Sequence, residues 1–344
     1  MNGLPPKMKD VAELAGVSIK TVSRVLNNEP HVKDELRDKV KNAIEALGYV
    51  PSANARSLRS NRGYKIHYIM HNNRSNYVNS IQAGTIQTCQ DHGYQLVVSM
   101  LKNIDAMSDD EIVQRLERLP THGAPDGAVL VSPLSNHPKV NDILKGMKIP
   151  IARIGPNDIE DDEYDVKINE REAAQEITEY LIKLGHHRIG FIRGKEDQNA
   201  TLERYNGYVD ALKAHKLEID PTLTQPGNFE FESGFTAGKH LLTLSNSPSA
   251  IFASNDDMAA GVLSAAHQLG VSVPDQLSVV GFDDSELASK IWPTLTTIRQ
   301  PLLELGSVAT ELLIAKSQNT KDVSTKNFLP HKLIIRNSTG PAPA

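Results

Sequence analysis

The chain has 344 residues, of which 39% are hydrophobic and 23% charged, and a net charge of −5. That length suits two or three domains at roughly 100–200 residues each, and the composition is ordinary for a globular protein. No apolar run approaches the ~20 residues that span a bilayer, and MNGLPPKMKD lacks a signal-peptide core, so no membrane contact is expected and the cytoplasm is the expected compartment.

A single cysteine, Cys89, excludes a disulfide framework and a cysteine-built zinc site. Charge is unevenly spread. Residues 1–65 hold 12 Lys and Arg against 7 Asp and Glu, whereas the remainder holds 25 against 35. A basic head on an acidic body points to a head that meets a polyanion.

From Lys9 to Leu47 apolar residues recur at three- and four-residue spacing: Val11, Leu14 and Ala15, then Val22, Val25 and Leu26, then Leu36, Val40, Ile44 and Leu47. The spacing predicts three short helices, closed by Gly48-Tyr49-Val50-Pro51 because a residue preceding proline is pushed out of the helical region. Within MKDVAELAGVSIKTVSRVLNN, Ala12 is small where two helices cross. Gly16 suits a turn with positive φ. Val17 and Val22 point inward, and Ser18 is a good N-cap for the second helix. This is the pattern of a helix-turn-helix, whose second helix presents its first turns to the major groove. Ile19, Lys20, Thr21 and Arg24 then fall on the outer face. Lys20 or Arg24 can pair with guanine and Ile19 can touch a thymine methyl. Ser18, Thr21 and Asn27 suit phosphate contacts.

After residue 65 strands and helices alternate. Strands are expected at Ile66–Met70, Leu96–Leu101, Gly127–Val131, Ile149–Ile154, Ile189–Ile192, Ala250–Ala253 and Leu277–Phe282, with amphipathic helices between most of them. Uniformly apolar strands alternating with helices imply parallel sheets covered on both faces, and the number of units favours two subdomains. Ligands of such folds bind beyond the carboxyl ends of the strands. Asn255 and Asp256 follow one strand end and Asp283 another, while Arg204 begins a helix after the polar loop at 195–199. Helix capping is the alternative role for Asp283 and the favoured one for Asp256. Core packing is the alternative for Phe229, and a surface ion pair for Arg204. No catalytic constellation stands out. His186 and His187 lack partners for a metal, GKEDQNAT is not a phosphate loop, and there is no G-x-S-x-G elbow. No cofactor is implied. Pro341–Ala344 reads as a disordered tail.

Residues 8–60, through DVAELAGVS, TVSRVLN and YVPSANARSL, strongly resemble the DNA-binding head of the LacI/GalR family. The resemblance continues in GHHRIGFI, ASNDDMAAG, LSVVGFDD and LTTIRQP, and so covers nearly the whole chain. It implies an all-α helix-turn-helix head at 8–50, a hinge helix at 51–63 and an α/β body at 64–336 similar to periplasmic binding proteins. The body would comprise two parallel-sheet subdomains, about 64–162 with 296–326 and about 163–295 with 327–336, ahead of a tail at 337–344. The implied function is a sequence-specific, DNA-binding transcriptional regulator. As a homodimer it would repress carbohydrate-utilisation genes at a pseudo-palindromic double-stranded operator and be released by a sugar-like effector. A corepressed regulator and a sugar-binding protein without DNA contact are the alternatives. By similarity Arg204, Asn255 and Asp283 hydrogen-bond the effector, Phe229 is its aromatic platform and Tyr77 a first-subdomain contact, with Asn72 and Asn73 weaker candidates. One departure matters: Ile168 occupies a position where many members carry aspartate, with Asn169 beside it. Trp292, the only tryptophan, follows the Asp283 loop and is expected to report ligand binding.

SANARSLRS carries Leu58 among arginines. Roughly eight residues is below the ~12–15 at which isolated helices become marginal, so a helix here is expected to form only on DNA. Leu58 can wedge between base steps in the minor groove, with Arg56, Arg59 and Arg62 on phosphates or groove edges. Leu58→Ala is therefore expected to lower operator affinity strongly in a fully folded protein. Unchanged affinity in a DNA titration would refute the wedge.

Overall fold

A computed structural model describes residues 6–26, 32–49, 63–71, 76–102, 104, 107–117, 125–156, 164–320 and 328–343. The chain divides into two units, Met1–Tyr64 and Lys65–Ala344.

The first unit contains α1 (Met8–Ala15), α2 (Ile19–Leu26) and α3 (Asp34–Leu47). Val11, Ala12, Val22, Val25, Val40 and Ala43 form its core, the stripe expected from the spacing. Gly16 ends α1 at φ 64, and the Val17 N–H then reaches the Ala12 carbonyl at 3.0 Å. The Ser18 hydroxyl accepts from the Thr21 backbone N–H at 3.1 Å and so caps α2.

In the second unit a five-stranded parallel sheet has the order β2-β1-β3-β4-β5. Its strands are β1 (Lys65–Met70), β2 (Gln95–Met100), β3 (Gly127–Val131), β4 (Ile151–Ile154) and β5 (Asp165–Val166). Helices α4 (Asn76–Asp91), α5 (Asp109–Glu117) and α6 (Pro138–Gly146) connect them. Ile69, Ala128 and Leu130 bury one face against α5 and α6. After β5 come α7 (Glu170–Lys183), β6 (Ile189–Ile192), α8 (Asn199–Ala214), β7 (Thr224–Gln225) and α9 (Phe231–Leu242). The series continues with β8 (Ala250–Ala253), α10 (Asp256–Gln268), β9 (Ser278–Asp283), α11 (Glu286–Lys290), β10 (Thr296–Arg299), α12 (Leu302–Gln318) and β11 (Lys332–Ile334). The second sheet runs β11-β10-β9-β8-β6-β7, parallel except for β11. Phe191 packs on Tyr205 and Tyr208 of α8, while Ile192 joins Met258 and Val262 on the other face.

All seven strands expected from the sequence form. The chain passes between sheets three times: from β5 to α7, from β10 to α12, and from α12 back to β11. The first two sit a few residues from the expected boundaries; residues 321–327, on the third, lie outside the described residues. Asp165–Val166 pairs with β4 of the first sheet, and Thr296–Arg299 pairs with β9 of the second. The α12 helix returns to the first sheet and crosses α4 closely. A Cβ on Gly84 would stand 1.9 Å from the Leu303 carbonyl oxygen, so glycine permits that approach.

Of Pro341–Ala344, expected to be disordered, Ala342 is held to the body, and the segment just ahead of that stretch is fixed more firmly. Ser338 is fully buried, donating its hydroxyl to the Val279 carbonyl at 2.6 Å and accepting from the Thr296 N–H at 2.8 Å. The Ala342 N–H donates to the Leu184 carbonyl at 2.9 Å. A polar tail holds here because the sheet end offers it backbone partners. His186 completes the fastening. Its ring nitrogens lie 2.9 Å from the hydroxyls of Ser249 and Ser278, and Nε2 lies 3.1 Å from the Gly340 carbonyl. It is fully buried beside exposed His187 and serves structure, not a metal.

Burial lowers the pKa of His186 despite the Gly340 carbonyl, and burial lowers that of His67 in β1 to about 4. A histidine held neutral in the fold contributes stability above its unfolded pKa of 6.5 and loses it as pH falls below that value. The buried carboxyls Asp256 and Asp283, whose pKa values burial raises, act in the opposite direction over the same range, so the histidine effect shows as a difference between proteins. On going from pH 7.5 to pH 5 the melting temperature of the wild type is expected to fall relative to that of His186→Asn, and scanning calorimetry of both at the two pH values checks it.

Candidate functional site

In the head, α2 turns Val22 and Val25 inward, which by the 3.6-residue repeat leaves Ile19, Lys20 and Arg24 on its exposed side. Ile19 is 45% exposed, unusual for an isoleucine in a bundle this small. Thr21 is half-buried, and its hydroxyl lies 3.0 Å from that of Ser18, so this pair is committed first to capping. Asn27, Arg56, Leu58 and Arg59 lie outside the described residues, as do Asn72 and Asn73.

In the body, Arg204 sits in the second turn of α8, five residues after that helix begins, and is only 4% exposed. A surface ion pair is thereby excluded. Its Nε donates to Glu170 at 2.8 Å, an Nη donates to the Ser254 carbonyl, and the guanidinium lies 3.6 Å from the Phe282 ring centroid. Burial works against its charge, yet Glu170 and Asp283 hold its pKa above the ordinary guanidinium value. Glu170 is the first residue of α7, directly after the crossing from the first sheet. Ile168, where the resemblance expects aspartate, is buried. Asn169 caps α7, accepting from the Glu172 N–H at 3.1 Å.

Asp283 ends β9 at φ 115 and Asp284 follows at φ 53. Aspartate is one of the few residues besides glycine that visit this region. Neither caps the next helix. Asp283 accepts from the Gln300 side-chain amide at 2.7 Å, and Asp284 accepts from Arg299 at 2.5 Å and Arg336 at 2.6 Å. Burial raises the pKa of Asp283, with Arg204 opposing and Asp256 adding to the rise.

The cap of α10 is Asn255, whose carbonyl oxygen accepts from the Met258 N–H at 3.0 Å while its amide donates to the Phe229 carbonyl at 3.0 Å. The expectation that Asp256 is the cap is corrected. Asp256 is 1% exposed and instead accepts from the Ser285 N–H and the Thr297 hydroxyl, both at 2.6 Å, tying the start of α10 to the segment after β9 and to β10. Burial raises its pKa too.

Phe229 adopts φ 67 and is partly buried against the α9–α10 core. Its ring covers Gly194, where a Cβ would stand 1.9 Å from Cζ, and Arg204 lies 6.0 Å from its centroid. Tyr77, from α4 of the first-sheet half, completes the constellation. Burial raises its pKa, Glu170 and Asp283 add to that, and Arg204 opposes them. Four of the expected residues, Tyr77, Arg204, Phe229 and Asp283, thus share one electrostatic neighbourhood, with Asn255 behind Phe229. Glu170 and Gln300 were missed in the sequence. A glutamate at a helix start reads as an ordinary dipole partner, and only the fold brings it to Arg204. Trp292, expected to report ligand binding, is 84% exposed.

A sequence profile described as bacterial regulatory proteins, lacI family, matches residues 7–52, and one described as a periplasmic binding protein-like domain matches residues 178–339. The chain is 35% identical over 307 residues to the ribose operon repressor of Escherichia coli K12, covering 89% of this chain and 92% of that one. The chain belongs to the LacI family. As members of that family are, it is a DNA-binding transcriptional regulator and not an enzyme. Among solved structures, a lac repressor dimer bound to operator and the anti-inducer ONPF superposes at a TM-score of 0.76 with 26% identity, covering 98% of this chain and 100% of that chain. A complex of the transcriptional regulator CelR with cellobiose gives 0.72 and 29%, covering 97% and 99%. Among the described residues of this LacI-family regulator, no helix is long and apolar enough to cross a membrane.

Removing one partner from a buried ionic cluster leaves the others uncompensated. Arg204→Ala is expected to cost about 3–5 kcal/mol of folding stability. Chemical denaturation of the isolated protein checks it, and a cost near zero would mean that the cluster is solvated.

Proposed function

We propose that this regulator is a homodimeric repressor whose head reads a pseudo-palindromic operator and whose body releases it on binding a sugar-like effector between the two sheets. The observation that carries this reading is the convergence of Tyr77 from the first-sheet half with Arg204, Asp283 and Phe229 from the second. A ligand that bridges such groups favours whichever arrangement of the halves brings them together. The cleft residues Tyr77, Arg204, Phe229, Asn255 and Asp283 hold the effector, and Gln300 ties Asp283 to the β10–α12 crossing between the two sheets. In the head Ile19, Lys20 and Arg24 face base edges, while Ser18, Thr21 and Asn27 fix the register on phosphates. Arg56, Leu58 and Arg59 add contacts that rest on the sequence alone. The relatives support the ligand class: one is named for the ribose operon, and another is a complex with cellobiose. Compartment is part of the proposal: a regulator of genes works where the chromosome is, in the cytoplasm.

Asp283→Ala separates the two halves of this reading. Operator titrations at several salt concentrations should give the steep log–log slope of counterion release for both wild type and variant. Effector should then weaken operator binding of the wild type only. Loss of operator affinity in the variant without ligand would show Asp283 to be structural, and a flat salt slope in the wild type would defeat DNA recognition by the head.

A further inference from the structure

The cations near the strand ends differ in how far they are committed. Arg204 is bonded to Glu170 and the Ser254 carbonyl and lies on the Phe282 ring, while Arg299 and Arg336 hold Asp284. Arg193 is held by far less. It follows β6 directly, at the carboxyl edge where parallel sheets take their ligands. Its guanidinium rests on the Tyr205 ring, 5.2 Å from the centroid, and its buried Nε has no hydrogen-bond partner. Among the described residues it pairs with no carboxylate.

A buried N–H of a charged group is costly when left unpaired. Two more unpaired groups lie beside it. The hydroxyls of Thr201 and Thr224 are also buried without a partner. Thr201 is 1% exposed and sits one helical turn before Tyr205 on α8, so the two share a face. Thr224 lies opposite Phe191 in the β6–β7 register, on the sheet face that Phe191 turns toward Tyr205. All three groups therefore border the same aromatic ring. The α8 helix begins there too, and Gln198 gives it no side-chain cap. Both neighbours of this corner belong to the cleft: Gly194, next to Arg193, lies under the Phe229 ring, and Tyr205 follows Arg204.

We propose, on the reading that the cleft is the effector site, that the corner between β6, β7 and α8 is an oxyanion subsite with Arg193 as its charged anchor. The effector then carries a carboxylate or a phosphate. A planar guanidinium matches the oxygens of either group with paired hydrogen bonds. Thr201 and Thr224 donate their hydroxyl hydrogens, and the uncapped start of α8 adds its positive end. Opposing charge is small. Glu170 is answered by Arg204 and Asp284 by two arginines, while burial pushes the carboxyls of Asp256 and Asp283 toward their neutral forms. An uncharged ligand would leave the guanidinium unpaired in the closed site, and this difference sets the preference.

The test is calorimetric titration of the full chain with glucuronate, glucose 6-phosphate and ribose 5-phosphate, in parallel with glucose and ribose. At least one anion is expected to bind about 10- to 100-fold more tightly than its neutral parent, the scale of hydrogen bonds to a charged group. The glucuronate and phosphate-ester arms separate carboxylate from phosphate recognition. Arg193→Met, which keeps the length and loses the charge, should bring anion and parent to similar affinity. A neutral parent binding as tightly as its anion in every pair would overturn the inference and leave the effector-cleft reading standing. Binding by none of the five would overturn both. A preference that survives in Arg193→Met would remove Arg193 from the subsite and overturn the assignment. Should that variant fail to fold, Thr201→Val decides, since it removes one hydroxyl at nearly constant shape. It should weaken anion binding about three- to tenfold, and an unchanged affinity would refute this corner as the place of contact.

Discussion

A guanidinium removed from water must be surrounded by acceptors, and in this protein that requirement organises the body. Arg204 is buried in the middle of the second sheet's carboxyl edge, stacked on Phe282 and bonded to Glu170 and the Ser254 carbonyl. Each contact belongs to a different element. Glu170 starts α7, Ser254 follows β8, Phe282 lies in β9, and the arginine itself rides on α8. Four separate connections are held in register by one side chain. The acceptors it gathers are the groups that give the cleft its charge and its hydrogen-bonding capacity.

The next layer of organisation is carboxylate-centred. Asp256 joins the start of α10 to the Ser285 backbone and to Thr297 of β10. Asp283 and Asp284 turn the chain through two left-handed conformations at the end of β9 and hold Gln300, Arg299 and Arg336. Arg299 and Gln300 lie where β10 leaves the second sheet for α12. The carboxylate that faces the cleft and the chain that connects the two halves are therefore one hydrogen-bonded unit. Local strain of this kind persists only where surrounding contacts over-determine it, and here three side chains do so.

Much of this was legible in the sequence. Apolar runs such as AIFA and GAVLV could only be covered strands, and Gly16, Ser18 and the Val22–Val25 spacing could only be a capped helical turn. Residues at strand ends were recognisable because parallel α/β sheets place their ligands there. What escaped were contacts between residues far apart in the chain. Glu170 and Arg204 are 34 positions apart, and Asp283 and Gln300 are 17 apart. Short strands such as Asp165–Val166 and Lys332–Ile334 carry too few residues for a periodic signal. Pro341–Ala344 looked unstructured because it carries no polar side chain, and the bond that holds it is a backbone one from Ala342 to Leu184, far away in the chain.

By itself, then, the sequence determined the kind of protein this is: a helix-turn-helix head, a parallel α/β body and a regulator of the LacI family. Those features are written in local patterns, where each residue's neighbours in the chain are also its neighbours in space. Tertiary structure alone decided which polar groups are taken and which remain for a ligand. It assigned the helix cap to Asn255 and the clasp between β10 and the Ser285 backbone to Asp256, and it brought Glu170 to Arg204. Hydrogen bonding and charge are saturable and short-ranged. Which donor meets which acceptor is therefore settled only when the chain has closed on itself.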